Sequence, residues 1–167
     1  QVDDVERAIR AYNAALELDG QNVEAIGALE QIYSRTERYG DLIGILRVKV
    51  DVTVDADDKQ EIYRQMAMIH EEMLEQPAEA VGCLKEILAL DPANLDALKD
   101  LDKLYVRLEN WADLADNLQQ QLGLEGDLER LSELKLRLAG LRDTRLDEVG
   151  AAIEIYREII EVDPENQ

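Results

Sequence analysis

The chain copies itself every 72 residues. The string LELDGQN at Leu16–Asn22 returns as LALDPAN at Leu88–Asn94 and as IEVDPEN at Ile160–Asn166. Asp19, Asp91 and Asp163 keep the spacing, since 91 − 19 = 72 and 163 − 91 = 72. Laying residues 19–90 on residues 91–162 without a gap gives 17 identities in 72 positions. A biased helical composition would supply roughly 5 to 7 by chance. The matched positions include Leu29/Leu101, Tyr33/Tyr105, Asp41/Asp113, Leu42/Leu114, Leu46/Leu118 and Ile87/Ile159, with Tyr39 and Trp111 matching as aromatics. A period of this length marks a repeat architecture, in which each unit packs on its neighbours.

Each 72-residue unit reads as four helices. Apolar residues recur at three- and four-residue spacing, and no stretch alternates as a strand does. The pattern predicts helices near 2–18, 22–36, 39–51, 57–74, 77–90, 94–108, 111–122, 127–143 and 146–162. Asn22 and Asn94 stand where an N-cap side chain accepts a bond from the free N–H groups of the first turn. Asp-Pro at 91–92 and 163–164 stops a helix, because proline lacks a donor and pushes its predecessor out of the α region. Gly20 is expected to close the first helix in a left-handed conformation. Connections of about three to six residues make consecutive helices antiparallel. The fold class predicted is therefore all-α, a right-handed α-solenoid of about nine helices in antiparallel pairs.

Within the unit, the helix pairs resemble the tetratricopeptide repeat (TPR) family. That family joins an aromatic-x2-Leu-Gly-x2-Tyr helix to an Ala-x3-Phe helix closed by proline. The second helix is matched by Ala8/Tyr12/Gly20, Ala80/Leu84/Pro92 and Ala152/Tyr156/Pro164, and the first by Tyr63/Met66/Ala67/His70 and Lys135/Leu138/Ala139/Arg142. A second, degenerate pair type reads Ile26/Leu29/Glu30/Tyr33 with Leu42/Leu46, then Leu98/Leu101/Asp102/Tyr105 with Leu114/Leu118. Glu30 and Asp102 stand where the family has a small residue, and Leu42 and Leu114 where it has Ala. The resemblance covers essentially the whole chain as one TPR-like repeat domain over 1–167. It has a half repeat at 1–18, double repeats at 19–90 and 91–162, and the start of a further linker at 163–167. Apolar residues on more than one face of helix 146–162, without a polar capping helix, lead us to expect a longer array.

Composition narrows the function. Net charge is 18 − 38 = −20, so DNA, RNA and anionic lipid are poor partners, since each needs a compensating cationic patch. Hydrophobic residues are 46%, enough for a folded chain. No apolar run is long enough to cross a membrane. One Cys and one His exclude an internal disulfide and a soft-ligand zinc cluster. The compartment is open, with the cytoplasm slightly favoured.

The candidates for chemistry read as structural. His70 takes the slot of Tyr33 and Tyr105 and is expected to pack. Cys83 is expected to be a small, buried, inert thiol. Asp55, Asp57 and Asp58 start like a calcium loop but lack its Gly and its bidentate Glu, so they are expected to cap a helix. Ser132 and Lys135 spell S-x-x-K without companion motifs. No enzyme activity, catalytic residue, cofactor or metal is expected.

The TPR resemblance implies a concave groove lined by the first helix of each pair. Register then places Glu24, Gln31 and Arg35 there, followed by Arg64, Gln65, Met68, Glu71 and Glu72. Further along come Asp96, Lys99, Lys103 and Arg107, then Glu133 and Arg137. Lys99, Lys103 and Arg107 are spaced by four and share one helical face. They suit acidic side chains or a C-terminal carboxylate, although Asp96–Lys99 and Asp100–Lys103 also form ordinary i,i+3 pairs. Lys99, Lys103 and Arg137 match only part of the family's carboxylate clamp, whose Asn residues are absent. The expected function is a protein-interaction scaffold that holds a peptide or helical motif of another protein. One alternative is a structural spacer making homotypic contacts through exposed terminal helices. Another is an acidic, chaperone-like binder of a basic protein.

Overall fold

The computed structural model describes residues 2–162, in which the chain is all-α. The helices are α1 (Val2–Leu18), α2 (Val23–Arg35), α3 (Tyr39–Val52), α4 (Ala56–Met68), α5 (Pro77–Leu90), α6 (Leu95–Arg107), α7 (Trp111–Leu124), α8 (Leu128–Thr144) and α9 (Val149–Val162). The start of the 163–167 linker and the second Asp-Pro stop lie outside the described residues. The chain divides into two compact units, Gln1–Leu90 and Asp91–Gln167. In the first, each of α1 to α5 packs on the next, and in the second α6 to α9 do the same, as stacked helix pairs.

The cores use equivalent residues. Ile26, Leu29 and Leu46 are fully buried in the first unit, and Leu98, Leu101 and Leu118 stand 72 residues on in the second. Each such side chain contributes about 1.5–3 kcal/mol by leaving water. The helix starts repeat as well. Asn22 Oδ1 accepts from the Ala25 amide at 2.9 Å and Asn94 Oδ1 from the Ala97 amide at 3.0 Å. Asp55 accepts from the amides of Asp57 and Asp58, and Asp127 from that of Arg130.

The helix ends differ from expectation. Gly20 is not left-handed; no glycine among the described residues has positive φ. Asp19 closes α1 with an ordinary helical bond from its amide to the Ala15 carbonyl, so the turn needs no left-handed residue. The left-handed positions are acidic: Glu37 (φ 57°), Glu75 (53°), Glu109 (56°) and Asp147 (57°). After Glu37 the Arg38 amide reaches back to the Tyr33 carbonyl, and after Glu109 the Asn110 amide reaches the Tyr105 carbonyl. These bonds satisfy carbonyls that a helix end would leave free.

The helix predicted over 57–74 changes pitch. α4 ends at Met68, and Ile69–Met73 form a π-helical turn. There the amide of Leu74 bonds to the Ile69 carbonyl, and that of Gln76 to the His70 carbonyl. The last helix begins at Val149 rather than 146, because the chain reverses through Asp147 and the Glu148 amide bonds back to the Arg142 carbonyl.

Candidate functional site

Two acids at equivalent positions of the two units, Glu30 and Asp102, set the geometry. Glu30 on α2 meets Lys49 Nζ on α3 at 2.7 Å. Asp102 on α6 is met from α8 by Arg137, whose Nη1 donates to Oδ2 at 2.8 Å and Nη2 to Oδ1 at 2.7 Å. That bidentate fork is the strong form of a charged pair. It raises the Arg137 guanidinium further above its ordinary pKa, outweighing the opposite effect of burial. Asp102 is buried, as are Asn117 and Gln121 on α7. Gln121 Nε2 donates to Asn117 Oδ1 at 2.6 Å and lies 3.4 Å from Asp102 Oδ2.

Over this polar floor lies a concavity of about 300 Å³ lined by Lys99, Gln121, Glu125, Arg130, Glu133, Leu134 and Arg137. It gathers three residues that register had placed on a groove: Lys99, Glu133 and Arg137. Lys99 is exposed, and the i,i+3 pair expected with Asp96 is not formed: Lys99 has no carboxylate partner among the described residues. Lys103 is tied to Asp100 at 2.8 Å, the expected i,i+3 pair. Lys103 and Arg107 are exposed on α6 and do not line the concavity. Arg35, Arg64 and Met68 belong to the first unit; Arg35 and Met68 are exposed and Arg64 is half-buried. Their neighbours on the register-derived face are likewise solvent-facing: Glu24, Gln31 and Glu72 are exposed, and Gln65 and Glu71 half-buried.

The chemical candidates have structural partners. His70 is buried, with Nδ1 3.0 Å from Gln76 Oε1. Burial pushes the Cys83 thiol up to about 11, which keeps it protonated and unreactive near neutral pH. Ser132 donates to the Leu128 carbonyl at 3.0 Å and Lys135 pairs with Glu158 at 2.7 Å, so the two do not act on one another. Among the described residues no three His, Cys, Asp or Glu side chains are placed to hold a metal. Among the described residues no helix is long and apolar enough to cross a membrane.

Reading motifs along the chain missed Gln121 and Asn117, because neither belongs to a motif. The signal was a double change between repeat copies. Lys49 becomes Gln121 while Gln65 becomes Arg137. The cation leaves one helix and appears on the next.

No protein-family model and no curated protein matches the sequence. The structure is similar to that of YrrB, a TPR protein with an unusual peptide-binding site. The TM-score is 0.51 at 16% identity, over 99% of this chain and 81% of that one. It is also similar to the MamA protein, with TM-score 0.50 at 19% identity, over 95% of this chain and 82% of that one. Likeness at such identities speaks for fold alone. The chain is thus an all-α protein with the TPR-like α-solenoid fold.

Proposed function

We propose that this protein is an interaction scaffold: a degenerate TPR array with a 72-residue double repeat that receives a peptide or helical motif of another protein. The groove residues on this reading are Arg35, Arg64, Met68, Lys99, Lys103, Arg107 and Arg137. The observation that carries it is the α6–α8 concavity, where Lys99, Glu133 and Arg137 converge over a buried polar floor. A surface of that kind offers several independent polar contacts to a chain lying across it. The peptide-binding site of YrrB supports the reading by analogy. The equal offsets of the N-caps and left-handed residues support the double repeat, since 109 − 37 = 72 and 147 − 75 = 72.

The test compares capture of partners by wild type and by Lys99→Glu/Lys103→Glu/Arg107→Glu, with helicity matched by circular dichroism. A partner held by wild type and weakened at least tenfold in the variant is expected. Indifference of every captured partner to the substitution would count against the groove. A second reading, self-association, is favoured by the exposed Leu18, Val149, Ile153 and Ile160 on the terminal helices. Its sign would be concentration-dependent sedimentation that Ile153→Asp abolishes.

A further inference from the structure

We infer that the α6–α8 concavity recognises a carboxamide, the group carried by Asn and Gln side chains and by the peptide bond, in the partner segment. The inference rests on the scaffold reading and names the chemistry that scaffold would select.

Gln121 carries the argument. Its side chain is 5% exposed and lines the concavity. Asp102, an acceptor, lies on its Nε2 side, and Nε2 also donates to Asn117 Oδ1. Flipping the amide would set Oε1 against the Asp102 carboxylate, so the network holds it one way round. Oε1 is then left over. It accepts no hydrogen bond among the described residues, and it is not one of the fully enclosed polar atoms that lack a partner. An acceptor on a buried side chain, open to the cavity it lines, asks for a donor from outside.

Donors stand in the same concavity. Arg137 gives two of its N–H groups to Asp102 and keeps the rest. Lys99 is exposed and has no carboxylate partner there. A carboxamide meets both demands: its NH2 donates to Gln121 Oε1 while its oxygen accepts from Arg137 or Lys99. A carboxylate would turn an oxygen onto Gln121 Oε1, acceptor against acceptor; an ammonium could meet Gln121 Oε1 and Glu133 but would leave Arg137 and Lys99 without an acceptor. The volume, about 300 Å³, suits one side chain. In the first unit the positions equivalent to Lys99, Gln121 and Arg137 are Gly27, Lys49 and Gln65, so neither the amide at the α7 register nor the Arg fork is present.

The test uses the whole chain and capped pentapeptides, Gly-Gly-Xaa-Gly-Gly with both termini blocked, where Xaa is Gln, Asn, Glu or Ala. Nuclear magnetic resonance follows the Gln121 side-chain amide and Arg137 Nε. The Gln or Asn peptide is expected to shift both at least fivefold more strongly than the Glu peptide. If the Ala and Glu peptides shift them as strongly as the Gln peptide, the peptide bond that all four share is the source of the amide. Gln121→Lys installs the residue that the first unit holds at this register, and is expected to reverse the preference toward Glu. A stronger response to Glu in wild type, or a Gln121 amide that no capped peptide moves, overturns the carboxamide assignment. A peptide library then separates the two readings. A library peptide that shifts α6 and α8 leaves the scaffold standing without the amide pocket. A library that shifts no described residue removes both.

Discussion

The two units meet one problem with different chemistry. Each places an acid where close helix packing elsewhere uses a small residue: Glu30 on α2 and Asp102 on α6. In the first unit Lys49 on α3, the second helix of the same pair, neutralises Glu30. In the second unit that register holds Gln121, and the cation arrives from α8, the next pair, as Arg137. A buried carboxylate is costly unless a cation and hydrogen bonds satisfy it, but either neighbouring helix can supply the cation. The choice has consequences. A cation on α3 ends the matter inside one pair, whereas one on α8 fastens α6 to α8 and leaves a neutral amide, Gln121, on α7.

The largest effect should come from breaking the second arrangement. Arg137→Leu strands Asp102, whose side chain is only 12% exposed. A buried pair broken on one side costs about 3 kcal/mol or more. Because Arg137 is itself half-exposed, we expect about 2 kcal/mol, read from denaturant unfolding. Adding Gln121→Lys rebuilds the first unit's solution and should restore most of the loss; no recovery would show that the two arrangements are not interchangeable. The mirror experiment, Lys49→Gln, should cost about 1 kcal/mol, since Glu30 keeps more solvent than Asp102 and its pair with Lys49 is a single contact rather than a fork. Gln65→Arg should rescue it.

Smaller effects test where the units agree. Asn22→Ala and Asn94→Ala each remove one N-cap bond and should cost about 1 kcal/mol, equally in both units. Unequal losses would mean that the caps are not equivalent. Glu37→Gly and Glu109→Gly relieve a left-handed side chain and should each stabilise by about 0.5 kcal/mol, seen as a rise in Tm.

The smallest effect near neutral pH concerns Cys83, whose second-unit counterpart is Ile155. Burial raises the folded thiol to about 11. The neutral form is therefore favoured by folding, and its stabilising effect is complete below the ordinary thiol range. It is lost as pH rises toward 11. Thiolate absorbance should titrate near 11 in the folded chain and lower in denaturant. Coincident midpoints would show that Cys83 is not shielded.

Much of the fold was legible from local pattern. Asn22, Asn94 and Asp55 announced helix starts, because a cap bonds amides two or three residues away. The Asp91–Pro92 stop works through the backbone of its own two residues. Helix α5 ends at its predicted bound, Leu90, for that reason. The π-helical turn after Met68 was hidden, because His70 and Gln76 meet across a turn that the apolar spacing does not record. The left-handed residues were hidden too: Glu37 and Glu109 have no local preference for that conformation, and the back-bonds to Tyr33 and Tyr105 impose it.

The candidate site divides along the same line. Lys99, Glu133 and Arg137 could be placed on one face by helical register, which depends only on 3.6 residues per turn. The partner of Arg137 could not be placed that way. Asp102 lies 35 residues earlier, and Lys99 or Lys103 could equally have been met by nearby acids. The sequence by itself determined that this chain is an all-α repeat, where its capped helices start, and which faces stay polar, because those follow from short-range spacing. Only the tertiary structure decided that Arg137 grips Asp102, that Lys49 grips Glu30, and that Gln121 is buried beside Asp102 and Asn117. Those outcomes depend on distances between helices, which packing sets and no local pattern contains.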